Sequence, residues 1–377
     1  MTGTRGTAAG TAADTAADTA AGMTAGSAAD TAADTAAGMT AGSAADTAAD
    51  TAAGMTAGSA GMPRPAELLA TLGLPPGDLR ELPDSPGRFP DGAQYRVEIP
   101  SVEGPACLAA VLAAARTLGV PVTRVSQGTG VGLLTGPELG EMAALAADAG
   151  VEVSLFARPC AGWDASAMAR SPAGMILAPA ARGQDQVAAV LDEILRAAEY
   201  GFRSVLIADL GVLSVFGRLR AAGHLPPDMQ AKVSVMLPAA NPEAARVLED
   251  LGADSLNLPT DLTLAQVAAI RAAVGIPLDV YVEAPDNIGG FVRHYELPTL
   301  VQVAAPVHIK FGLRNAPDVY PAGTHLEATT VALSRERVRR ARLGLDLLAR
   351  HRPDARGSIP GGDGAELRVP VPPTSPS

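Results

Sequence analysis

From Tyr95 onward the chain alternates between two hydrophobic periods, and that alternation restricts the fold more than any other feature. Stretches with period two, or short apolar runs, read as strands at residues 95–99, 122–127, 151–157, 204–209, 232–237, 255–258, 278–283 and 307–311. Ala- and Leu-rich stretches at helical spacing lie between them, at 105–118, 137–149, 184–200, 213–222, 242–251, 264–274 and 294–303, and a last helix covers 334–350. Gly119, Gly150, Gly201, Gly252 and Gly275 stand where helix-stop residues belong, and Asn241 and Thr263 stand where N-caps belong. Eight strands alternating with eight helices is the count of a (β/α)8 barrel, an α/β fold of the TIM type. A doubly wound open sheet uses the same units, but the chain lacks a G-x-G-x-x-G after its first strand.

The barrel is assigned to residues 90–352, and the sequence on either side reads differently. Residues 1–61 repeat AADTAADTAAGMTAGS with Met23, Met39 and Met55 in register. The unit offers no Leu, Ile, Val or aromatic side chain to bury, so it reads as disordered low-complexity sequence. Met62 opens ordinary sequence and is a second candidate start; residues 62–89 form a lead-in. Residues 353–377, rich in Pro and Gly, read as a disordered tail. Between Arg158 and Arg182, after strand three, lies a stretch too long for a plain loop, and it is expected to cover the barrel mouth. A net charge of -11 without a basic run argues against a nucleic-acid partner. No run is apolar for long enough to span a membrane, and there is no basic-then-apolar leader, so a cytoplasmic protein is expected.

Polar residues recur at alternate strand positions: Arg96 and Glu98, Arg124 and Ser126, Glu152 and Ser154, Lys232 and Ser234, Ser255 and Asn257, Asp279 with Tyr281 and Glu283, His308 and Lys310. Facing outward they would lie under helices, so they are expected to face inward and pair with one another. Function in such a barrel sits at the C-terminal strand ends. The catalytic candidates there are Glu98, Asp209, Glu283 and Lys310; Gln127, Arg158, Trp163, Asn257, Arg314 and Asn315 are candidates for substrate contact. Strand one closes the ring beside strand eight, so Glu98, Glu283 and Lys310 are expected to form one cluster. A carboxylate in it would act as general base or, with Asp209, hold a divalent metal. The alternative is a structural ion-pair network filling the barrel, with His308 as a core group and Asp209 as the start of a turn. Gly128–Gly132 (GTGVG) offers a phosphate cradle, and Tyr320, His325 and Glu327 are expected to fold back over the mouth.

Residues 201–213 (GFRSVLIADLGVL) and 232–270 resemble the collagenase-like peptidases, a similarity that extends to about Glu283. The resemblance implies a barrel and a peptidase-like hydrolase, in which one carboxylate activates water and Lys310 or Arg158 stabilises the oxyanion. The chain departs from the family's pattern at Thr260 and Asp261, where Arg-Glu is usual, and at Glu283 and Ala284, where His-Gly and a following Cys are usual. With two cysteines it cannot supply the four thiolates of an iron–sulfur cluster, and no such cluster is expected. A lyase or isomerase acting on a small anionic substrate, with Lys310 and Arg314 as electrophilic clamps, is the second reading. A non-catalytic binding module is the third. The expected partner is accordingly a peptide or a small molecule, with a divalent metal as the candidate cofactor.

Overall fold

In the computed structural model the eight strands pair in sequence order and close on themselves as a barrel. The structure describes residues 63–158, 171–172 and 179–373. The chain divides into Met1–Ala60 and Gly61–Ser377, and all described residues belong to the second unit. The strands are β1 (Tyr95–Pro100), β2 (Val122–Ser126), β3 (Glu152–Ala157), β4 (Ser204–Ile207), β5 (Gln230–Val233), β6 (Ser255–Asn257), β7 (Leu278–Glu283) and β8 (Val307–Phe311). Every neighbouring pair is parallel, and β1 meets β8 in the register Arg96↔His308 and Glu98↔Lys310. Parallel pairing is the outcome when a helix returns the chain to the same end after each strand.

Local chemistry starts and stops these helices. Thr135 and Thr263 accept from backbone N–H groups three residues on, and Glu138 and Gln266 reach back to close capping boxes. Asn241 caps the helix Pro242–Asp250 in the same way, as its position suggests. The last helix starts earlier than its apolar spacing indicates and runs over Glu327–His351. Strand five is shifted back to Gln230–Val233, because residues 234–237 form a turn closed by Leu237 N–H on Ser234 C=O. The apolar core is a shell between barrel and helices, with Val97, Ile99, Val125, Leu155, Val205 and Ile309 among its buried members. Among the described residues no helix is long and apolar enough to cross a membrane.

The expectation of a disordered C-terminal tail from residue 353 is corrected over 353–373, which pack across the N-terminal end of the barrel. Ser358 N–H donates to Tyr95 C=O at 3.0 Å, Gly361 N–H to Gly150 C=O at 3.0 Å, and Val371 N–H to Gly201 C=O at 2.9 Å. Arg96 Nε donates to Ser358 Oγ at 3.1 Å, and its Nη2 bonds Ala365 C=O. A Pro- and Gly-rich segment has little side chain to bury, but its backbone groups can satisfy loop carbonyls and a buried guanidinium. The lead-in completes this floor: Phe89 lies under Arg96, 4.0 Å from Cζ to the ring centre, and edge-on to His308. Gly201 has φ +89°, and a Cβ there would overlap Val371 C=O. Gly201→Ala is therefore expected to cost about 1–3 kcal/mol and to free the tail, read as faster tryptic cleavage after Arg356 and Arg368 with a lowered Tm.

Candidate active site

Strand alternation fills the barrel with charge. Glu98 Oε2 accepts from Arg124 Nε at 2.7 Å, and its Oε1 accepts from Ser126 Oγ at 2.8 Å and from Lys232 Nζ, with Lys310 Nζ 3.2 Å away. The Arg124 guanidinium also pairs with Asp279 and lies 3.6 Å from Glu152, while Ser255 Oγ donates to Asp279 at 2.8 Å. All of these charged groups are buried, and buried charges persist only with partners. Burial alone would raise the Glu98 pKa; Arg124, Lys232 and Lys310 outweigh it and hold the carboxyl well below its ordinary range. Burial would lower that of Lys310, but Glu98, Tyr281 and Asp279 together outweigh it and keep the ammonium charged. For Lys232, burial and then the Arg124 charge prevail, and its pKa falls to about 7. His308, desolvated and facing Arg124 and Arg96, is held well below the ordinary imidazole value and stays neutral.

Above this network the C-terminal strand ends enclose a cavity of about 380 Å³. Lys310 lines it, donating to Asn257 Oδ1 at 2.5 Å with Nζ 4.4 Å from the centre of the Tyr281 ring. Phe156, Leu206 and Met236 make an apolar wall. Arg158 stands at the end of β3 with its guanidinium carbon 4.9 Å from the centre of the Phe156 ring. Tyr320, in the connection after β8, folds back to this wall, and its hydroxyl donates to Ser101 Oγ at 2.5 Å. Ser101 has φ +59°, a left-handed conformation that costs a residue with a Cβ and here sets its hydroxyl at the cavity.

The cavity gathers Gln127, Arg158, Asn257 and Lys310, and Glu98 lies against Lys310 from within the barrel. Gln127 shapes the rim by bonding both Gly130 N–H and Gly130 C=O at 3.1 Å. Glu283 does not join them, which corrects the expected Glu98–Glu283–Lys310 cluster. The β7–β8 register slips between Tyr281 and Glu283, so Glu283 lies opposite Phe311. Phe311 packs toward Gly344 of the last helix, and the slip turns Glu283 to the same layer. There its carboxylate meets His294 Nε2 at 3.1 Å, Arg314 N–H at 3.0 Å and Arg340 at 3.7 Å. Burial raises its pKa less than those donors lower it, so Glu283 remains ionised.

Asp209 is the N-cap of the helix Leu210–Ala221, accepting from Val212 N–H at 2.8 Å and from Ala181 N–H at 3.0 Å. Asp209→Ala is expected to cost about 1 kcal/mol of stability through the lost cap, measured by urea unfolding. Arg314 reaches out to Asp286 at 3.6 Å, and Asn315 N–H donates to Asp286 at 2.5 Å, so neither lines the cavity. Trp163 lies outside the described residues. The GTGVG loop is no free phosphate cradle, because Gly128 N–H and Thr129 N–H already donate to Glu103 at 3.0 and 2.9 Å. Sequence reasoning missed Ser101, Phe156 and Leu206. The signal for Ser101 was its place just past Pro100, the last residue of β1; the two apolar residues carry none, being indistinguishable from core.

Glu98, Asp279 and His308 bring ligand atoms within 4.8 Å of one another. Arg124 already bridges the two carboxylates. A divalent ion would have to displace that guanidinium and add charge where Arg96, Arg124 and Lys310 already match Glu98, Glu152 and Asp279. The three residues do not fit a metal.

Among known proteins, residues 175–284 match the model of peptidase family U32. Of solved structures, the U32 peptidase Mk0906 shares 20% identity with a TM-score of 0.32, over 51% of this chain and 70% of that one. A truncated 3-deoxy-D-arabino-heptulosonate 7-phosphate synthase from Thermotoga maritima shares 16% at a TM-score of 0.38, over 71% and 91% of the two chains. Thiamine phosphate pyrophosphorylase from Pyrococcus furiosus shares 14% at 0.34, over 66% and 97%. Likenesses this loose say nothing of chemistry, and no curated protein matches the chain. The segment that is similar to peptidase family U32, residues 175–284, takes in β4 through β7 of the barrel.

Proposed function

We propose that this barrel is an enzyme acting at its mouth on a small anionic substrate that carries a carbonyl or carboxylate group, as a lyase or isomerase. The observation that supports it is Lys310, a buried ammonium on the cavity wall kept charged by Glu98 and aimed by Asn257. A fixed cation aimed at the place where negative charge develops stabilises an enolate or oxyanion. Arg158 supplies a second positive charge for the anionic group, and Phe156, Leu206 and Met236 take the carbon skeleton. Hydrolysis needs a carboxylate free to activate water, and none of the three strand-end candidates is one: Glu98 is bound by three cations, Glu283 faces the helix layer and Asp209 caps a helix.

Peptide hydrolysis is the second reading, favoured by the match to a peptidase family. In it Lys310 and Arg158 stabilise the oxyanion, and Asp318, a carboxylate that lines the cavity, activates the water. Casein cleavage should be assayed in parallel with thermal-shift binding of small 2-oxo acids, hydroxy acids and phosphate esters. The first reading expects saturable binding by at least one of these classes, lost in Lys310→Met, and intact casein. Cleaved casein without small-molecule binding replaces it with the second.

A further inference from the structure

We propose that Lys232 is the proton reservoir of the mouth site, exchanging one proton with Lys310 across a single shared oxygen of Glu98. Both ammonium groups approach Glu98 Oε1, Lys232 by a direct hydrogen bond and Lys310 at 3.2 Å. Lys310 lines the mouth cavity, whereas Lys232 lines neither that cavity nor the one at the barrel floor. Its path to a substrate therefore runs through Glu98 and Lys310. The groups facing Lys232 are Glu98 from β1, Arg124 from β2, Asp279 from β7, and Lys310 and His308 from β8. With His308 neutral, the three carboxylates of the interior are matched by Arg96, Arg124 and Lys310 before Lys232 is counted. Its proton is thus the one the network can hold or release without stranding a charge, in keeping with a pKa of about 7.

The step rests on the proposed function and deepens it: Lys310, the cation that meets the developing oxyanion there, also hands that oxygen a proton. Lys310 gives a proton to the substrate and is left neutral. An N–H bond then breaks at Lys232 and one forms at Lys310, while Glu98 begins and ends as a carboxylate. The reverse sequence returns the proton when the substrate is the donor. Lys232 touches no substrate; it is a positioning residue for charge.

The chain contains two lysines, so 15N-lysine labelling gives two Nζ signals. We expect one to titrate near pH 7 and the other to shift in the same step, with the linked shift lost in Glu98→Gln. A Lys310 signal that stays still while Lys232 titrates, or two signals that change only in the alkaline range, would overturn the proposal. The wild-type titration decides this even if Glu98→Gln fails to fold. On a substrate, Lys232→Met should remove the near-neutral limb of the kcat profile, lower kcat about tenfold and leave KM unchanged; an unaltered pH profile counts against the relay. The titration needs no substrate, so failure of the proposed function and failure of the relay are separately visible.

Discussion

Arg124→Met is expected to lower the unfolding free energy by about 3–5 kcal/mol, the range for removing one partner of a buried ion pair. The side chain bonds Glu98, pairs with Asp279 and approaches Glu152, so its loss leaves three buried carboxylates facing Lys232 and Lys310. Domains of this kind are stable by about 5–15 kcal/mol in all, so the variant should sit near its folding threshold. The pH dependence has a definite sign. In the folded wild type Glu98 ionises below its ordinary 4.5, so its stabilisation is complete above that value and fades as the pH falls through the folded pKa. Without Arg124, Glu98 loses the largest of the charges that hold its pKa down, its folded pKa rises, and acid relieves it. Urea unfolding at pH 7.5 and pH 4.5 should therefore show the two proteins converging at the lower pH. A gap that widens in acid would mean that Arg124 is not what holds Glu98 ionised.

Lys310→Met should reduce kcat by about 10²–10³, the usual cost of removing one donor to a developing oxyanion, while the fold survives. Survival follows from the geometry: Glu98 keeps Arg124 and Lys232, and Asn257 keeps its bond to Val233 C=O at 2.8 Å. Glu283→Gln is the paired control. It alters a carboxylate held by His294, Arg314 and Arg340 in the helix layer, so it should reduce stability and leave turnover alone. Steady-state kinetics and thermal unfolding of both variants separate the two effects. Equal loss of turnover in both would return Glu283 to the site.

The barrel was legible because each strand and helix carries its own period, and the inward set was legible because outward placement of Glu98, Arg124 or Asp279 would bury them under helices. Three features were not, each for a physical reason. The β7 register slip leaves no mark, since Val282 keeps the apolar alternation running up to Glu283. An Asp at a strand end reads the same whether it caps the next helix or serves a ligand, and only the hydrogen bonds to Val212 and Ala181 settle it for Asp209. The C-terminal segment is held by backbone bonds to Tyr95, Gly150 and Gly201, and composition does not encode partners so far away along the chain. The mouth was half legible: strand-end polar residues and the return of Tyr320 could be named, but not Ser101, the hydroxyl that Tyr320 meets there.

Both lysines of the chain lie inside the barrel, 1% and 2% exposed, and every other permanent cationic side chain is arginine. A modifying enzyme needs its target amine on an accessible, adaptable segment. Acetylation, conjugation of a degradation tag or chemical acylation of lysine thus has no target on the folded barrel. Each becomes possible only once the ring of strands has opened, so for this protein lysine modification would be a mark of unfolding and not a means of adjusting the native state.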